Sequence, residues 1–218
     1  MNNPHNPFRY IVIEGPIGVG KTSLAQKLAD EYGSAMMLEK PAENPFLEKF
    51  YRNPSQYALS AQLCFLMQRA QQVQEFRQDD LFRGTYIADF MVDKDRLFAE
   101  ITLNRDELVL YNQIFRHLTL DAPKPDLVIY LQAPIEILRA RINQRGIAYE
   151  QQIRDDYLQR LSESYTRFFY DYDESALLTV NTQSVDLINN EEDYLAILEK
   201  IDNIHSGRHY FNQSSFAL

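Results

Sequence analysis

The 218-residue chain has a single cysteine, Cys64. It can therefore form no intrachain disulfide and no zinc site built on cysteines. Cys64 falls in an apolar stretch with helical spacing, where a buried, inert thiol is expected. The four histidines, His5, His117, His205 and His209, show no metal-ligand spacing, and no Ser/His/Asp set can be assembled around them. No apolar run is long enough to span a membrane. The opening residues, Met1-Asn-Asn-Pro-His-Asn-Pro7, lack the apolar centre of a secretory signal. Basic runs are also missing: 22 Lys and Arg face 31 Asp and Glu, a net charge of −9. Neither nucleic acid nor a membrane is thus an expected partner, and the expected location is cytoplasmic. Internal repeats and low-complexity linkers are absent as well. The expectation is one domain over residues 1–218 with a substantial core.

What the sequence does contain is Gly15-Pro16-Ile17-Gly18-Val19-Gly20-Lys21-Thr22, the phosphate-binding pattern G-x-x-x-x-G-K-[ST]. The context fits. A β-type run over 10–14 leads in, and a helical pattern over 21–32 leads out. Glycines allow consecutive backbone N–H groups to turn toward one anion, and the helix adds its positive end. Lys21 supplies a mobile charge, and the Thr22 hydroxyl is a ligand for Mg²⁺. A bound nucleoside triphosphate is the expectation.

Further β-like runs occur at 35–38, 85–88, 127–131 and 176–180. Helical patterns at 55–78, 105–118, 134–144, 151–171 and 191–205 separate or follow them. This alternation predicts an α/β fold: a P-loop three-layer sandwich with a five-stranded parallel sheet flanked by helices. Ligands gather at the C-terminal edge of such sheets. The last dozen residues, with Tyr210, Phe211 and Phe216, are apolar enough to dock on the body or on a second subunit. Phe168, Phe169, Tyr170 and Tyr172 are expected to pack in the core.

Three groups of charged residues lie at predicted strand edges or helix ends. Glu39 follows the second strand, placed to take a proton from an attacking hydroxyl. Glu43 and Glu48 nearby leave open a solvated loop glutamate instead. Asp89 ends the third strand, where an acid resembles a Walker-B group holding Mg²⁺. Arg139, Arg141 and Arg145 lie on and beyond a predicted helix. They form either a phosphate-closing lid over about 141–150 or a basic face at a helix C-terminus.

These segments together resemble the deoxynucleoside kinase family. The resemblance runs from the P-loop to the last β-like run. Its most specific residues are Glu39-Lys-Pro, Phe50-Tyr51, Tyr57-Ala-Leu-Ser-Ala-Gln62 and Met67-Gln-Arg69. It implies that Glu39 is the general base for the sugar 5′-hydroxyl and that Tyr51 and Glu150 hold the 3′-hydroxyl. Gln62, Arg69 and Asp95 read the base. Arg141 stacks on adenine, and Arg145 contacts phosphate. Gln62 and Arg69, seven residues apart, share one helix face. Two departures stand out. Phe90 and Ile147 occupy positions where the family carries phosphate-facing arginines. If a helix starts near Asp93, Arg96 is expected to supply the missing cation, with Lys94 turned to solvent.

The resemblance implies transfer of the ATP γ-phosphate, with Mg²⁺, to a 2′-deoxynucleoside, a purine ahead of deoxycytidine. It also implies a homodimer. A nucleoside-monophosphate kinase would need more arginines than Arg52 and Arg69 in the 39–69 segment. A GTP-binding regulatory switch would carry [NT]-K-x-D, which is absent.

Overall fold

A computed structural model describes residues 8–79, 85–118 and 122–212. Six parallel strands form one sheet in the order β2-β3-β1-β4-β5-β6: β1 Tyr10–Glu14, β2 Ala35–Met37, β3 Tyr86–Ala88, β4 Leu127–Gln132, β5 Ala176–Asn181 and β6 Arg208–Phe211. All five residues of β1 are buried, as a central strand covered on both faces requires. Its side chains alternate between two cores. Ile11 and Ile13 face a layer with Leu24, Leu28 and Ile197. Tyr10 and Val12 face the other layer, with Leu161, Tyr165 and Phe169. The expected three-layer sandwich is therefore present.

Eight helices are described: α1 Lys21–Tyr32, α2 Leu47–Arg52, α3 Pro54–Asp79, α4 Lys94–Thr102, α5 Arg105–Leu118, α6 Ile135–Arg145, α7 Asp155–Asp171 and α8 Glu191–Asp202. Helix α1 buries Leu24, Ala25, Leu28, Ala29 and Tyr32 at helical spacing and stops at Gly33, whose φ of 60° suits glycine. The Asn190 side chain caps α8 by accepting the N–H groups of Glu192 and Asp193.

The sheet has six strands where five were expected. The extra strand, β6, pairs with the edge of β5. Arg208 and Tyr210 are exposed while His209 and Phe211 are half-buried, and so short and polar a run carries little β signal. The apolar tail thus docks on the body as far as Phe211, while Phe216 lies outside the described residues. Helix α2 was not expected, and α4 only conditionally, as a helix starting near Asp93; at six and nine residues they are too short for clear periodicity. Helix α7 starts at Asp155 because residues Ala148–Gln152 form a 3₁₀ turn. Cys64 is half-buried rather than buried, though burial still raises its thiol pKa. Phe169 and Tyr172 join the core, but Tyr170 is exposed. No helix among the described residues is long and apolar enough to cross a membrane.

Register brings three loops to one edge. Ala88 pairs with both Val12 and Met37, and Glu14 pairs with Tyr130. The P-loop after β1, Glu39 after β2 and Asp89 after β3 therefore emerge side by side.

Candidate active site

The P-loop wraps closely over α6. Gly18 has φ of 85°, and a Cβ there would lie 2.8 Å from the Leu138 carbonyl oxygen. Only glycine fits. The Lys21 ammonium donates to the loop carbonyls of Gly15 at 2.8 Å and Pro16 at 3.3 Å. Burial, reinforced by repulsion from Lys94, lowers its pKa to about 8 against the attraction of Glu14, Glu39 and Asp89.

At the start of α1 the Thr22 hydroxyl donates to one Asp89 oxygen at 2.5 Å, and the other accepts the Glu39 N–H at 2.7 Å. Asp89 is buried and ties the P-loop to the loop after β2. Thr22 and Asp89 thus offer adjacent hard oxygen donors, the chemistry that suits Mg²⁺.

Glu39 separates cleanly from its neighbours. Glu43 and Glu48 are exposed partners of Lys40 and Arg52. The Glu39 side chain is only 20% exposed and is paired with Arg69 on one oxygen and with Lys94, at 3.0 Å, on the other. Burial opposes its ionisation, but Arg69, Lys94 and Lys21 prevail and hold its pKa at about 2.

Arg69 is paired also with Asp95, which is fully buried. Its guanidinium lies 5.1 Å from the Phe65 ring and 5.7 Å from that of Phe90, close enough for cation–π attraction. Phe90, expected to leave a gap among the phosphate contacts, instead forms a wall for the arginine. Gln62 is buried on α3, seven residues before Arg69. Tyr51, whose phenol is kept protonated by burial and by Tyr157 and Glu150, stacks on Tyr149 at 6.2 Å. Glu150 is buried in the 3₁₀ turn and bound to Arg145 at 2.6 Å.

The three arginines of α6 part company. Arg139 is bound to Asp155 and to the Ile153 carbonyl, bracing α6 against the start of α7. Arg141 donates to the Val19 carbonyl and to both oxygens of Thr182, at 2.9–3.1 Å. Arg145 remains half-exposed. Gly18, Lys21, Thr22, Arg141, Arg145 and Thr182 line a cavity of about 850 Å³ that extends along residues 182–190. That volume accommodates a nucleoside triphosphate. Nothing in the 182–190 segment had marked it as a lining of the site.

Two further residues were not foreseen. Glu14 ends a fully apolar strand yet is buried. It accepts the N–H groups of Met91 and Gly15, at 2.8 and 3.1 Å, and the Tyr165 hydroxyl at 3.0 Å. A carboxylate on the last position of such a strand was the available signal. The second is Lys94. It was expected in solvent but is 2% exposed, because the chain turns at Asp93 with its first helical residue facing the sheet edge. Arg96, expected in the site, is exposed beside Glu100.

A family model for deoxynucleoside kinases matches residues 11–206. The chain belongs to the deoxynucleoside kinase family. It is 36% identical over 194 residues to a deoxyguanosine kinase of Bacillus subtilis, covering 87% of this chain and 94% of that one. A deoxyadenosine kinase of Lactobacillus acidophilus is 28% identical over 209 residues, covering 89% and 95%. Among solved structures, deoxyadenosine kinase of M. mycoides with bound dATP superposes with a TM-score of 0.74 at 22% identity, over 89% of this chain and 99% of that one. That likeness bears on the fold, and it places the six-stranded sheet within the family's architecture.

Proposed function

We propose that the protein transfers the γ-phosphoryl group of ATP to the 5′-hydroxyl of a 2′-deoxynucleoside, with a purine preferred. The observation that carries this reading is the Asp89 carboxylate, which ties the Thr22 hydroxyl of the P-loop to the backbone of Glu39. A phosphate site and a candidate base are thereby fixed side by side, as in-line transfer demands.

The P-loop N–H groups and Lys21 hold the β- and γ-phosphates, while Arg141 flanks the adenine. Thr22 and Asp89 would hold Mg²⁺, which neutralises phosphate charge when bound. Residues 141–150 form a lid within a single-domain chain, and Arg145 reaches the phosphates from it. Glu39 takes the 5′-hydroxyl proton. Its present company makes it a poor base, so acceptor binding has to loosen that hold. Arg69, drawn with Asp95 and Gln62 to the base edge, leaves Glu39 with one cation fewer and a higher proton affinity. Tyr51 and Glu150 hold the 3′-hydroxyl.

The purine preference rests on the 36% identity to a deoxyguanosine kinase and on the donor–acceptor pair of Arg69 and Asp95. Thymine has no amino group for Asp95 to accept from, and its methyl crowds the same pair. Cytosine offers an acceptor beside an amino group, much as adenine does, so its lower rank rests on the relatives. Exposed Met67 on α3 and Val109 and Leu110 on α5 support a homodimer through these helices, checked by light scattering.

A phosphate-transfer screen over free nucleosides, nucleoside monophosphates and water tests the reading. Transfer to deoxyguanosine or deoxyadenosine supports it. Transfer only to a monophosphate, or only to water, contradicts it.

A further inference from the structure

Lys94 is an uncommon kind of lysine. It occupies the first turn of α4, where the helix dipole disfavours a cation. It is nonetheless 2% exposed, an expensive place for an ammonium group unless it is paired. Among the described residues, Glu39 at 3.0 Å is the one acceptor within hydrogen-bonding distance of its three N–H donors. Glu14 lends charge from 3.9 Å, but its oxygens already accept the Met91 and Gly15 N–H groups and the Tyr165 hydroxyl. Lys94 therefore has donor capacity to spare.

Its position says what that capacity suits. Lys94 lies close enough to Lys21 for their repulsion to help lower the Lys21 pKa. Two ammonium groups that repel each other, one on the P-loop and one on the base Glu39, are reconciled by an anion reaching both. The phosphoryl group in transit is such an anion, and its oxygens gain from preorganised donors.

We propose that Lys94 is a catalytic residue that hydrogen-bonds the transferring phosphoryl group on its acceptor side. This rests on the reaction proposed above. In that step the bond between the γ-phosphorus and the oxygen bridging to the β-phosphate breaks, and the electron pair leaves with ADP. The 5′-oxygen forms the new bond to phosphorus, and its proton passes to the Glu39 carboxylate. As Glu39 is neutralised, Lys94 loses its ionic partner and its attraction shifts to the phosphoryl oxygens. Arg96, at 57% side-chain exposure beside Glu100, takes no part.

The test compares wild type with Lys94→Met, Lys94→Arg and Arg96→Ala. Three quantities are measured: steady-state transfer from ATP to the best deoxynucleoside, affinities for ADP and for that nucleoside, and affinity for aluminium fluoride in the ternary complex with both. Aluminium fluoride imitates the phosphoryl group in flight. Lys94→Met is expected to lower kcat at least tenfold and to weaken the fluoroaluminate complex at least tenfold. Its ADP and nucleoside affinities are expected to stay within threefold of wild type. Lys94→Arg is expected to recover part of both losses, and Arg96→Ala to match wild type within threefold. If Lys94→Met does not fold, Lys94→Gln is read in its place. A kcat within threefold of wild type overturns the proposal, as does an equal loss of ADP, nucleoside and fluoroaluminate binding. A wild-type protein that phosphorylates no deoxynucleoside overturns the proposed reaction and this role with it, whereas a variant that loses nothing overturns only the role of Lys94.

Discussion

The Asp89 carboxylate accepts the backbone N–H of Glu39 at 2.7 Å while its second oxygen holds the Thr22 hydroxyl at 2.5 Å. The position of the candidate base is thus set by the same group that faces the P-loop. Asp89→Asn keeps the shape but removes the charge and turns one acceptor into a donor. The expected result is a fall in kcat of roughly 10²–10³ and a higher Mg²⁺ concentration for half-maximal rate. A titration of rate against Mg²⁺ checks both, and an unchanged Mg²⁺ requirement would remove Asp89 from the metal site.

Lys21 gives a pH dependence with a definite sign. Burial and Lys94 depress its pKa from 10.5 to about 8 in the protein without nucleotide. A bound triphosphate favours the charged ammonium, so ATP binding takes up a proton once the pH exceeds about 8. ATP affinity is expected to weaken above that pH. Calorimetry at pH 8.5 in buffers of different ionisation enthalpy is expected to show proton uptake that Lys21→Met abolishes. Equal uptake in the variant would assign the proton elsewhere.

Glu39 acts on stability in acid. Its folded pKa of about 2 lies below the ordinary 4.5, so its contribution is fully present above pH 4.5 and is lost as pH falls toward 2. It is on the order of 1–3 kcal/mol. Between pH 5 and 3 the wild type is expected to lose stability in urea more steeply than Glu39→Gln, which has no carboxylate to protonate. Parallel curves would mean that Arg69 and Lys94 do not stabilise the ionised form.

How far the sequence could be read depended on what each feature needs. Periodic helices such as α5 and the buried strand β1 were legible because their patterns are local. The P-loop was legible because consecutive residues supply nearly all its chemistry. Glu39 could be placed at the sheet edge, but its advantage over Glu43 and Glu48 emerged only once Arg69 and Lys94, from two other helices, were seen on it. The inverted roles of Lys94 and Arg96 have the same origin. Two residues apart on a nine-residue helix, they differ by about 200° in direction, and only the helix start decides which one faces the site. Strand β6 and the 182–190 segment escaped notice because neither has an apolar period of its own.

The pair formed by Arg69 and Asp95 is expected to govern base choice. Asp95→Asn leaves a buried guanidinium with one carboxylate partner instead of two, and it presents an amide where the base expects an acceptor. kcat/KM for the preferred purine is expected to fall 10–10³-fold, with less loss for thymidine. Competition among the four deoxynucleosides measures this. A wild-type protein with its highest kcat/KM on thymidine would contradict the assignment.

The central claim is that Glu39 is the base that receives the 5′-hydroxyl proton, and it is tested most directly by the turnover of Glu39→Gln. With ATP and the preferred deoxynucleoside saturating, kcat is expected to fall by roughly 10²–10⁴ while ATP affinity stays close to wild type. Turnover within threefold of wild type would contradict the account.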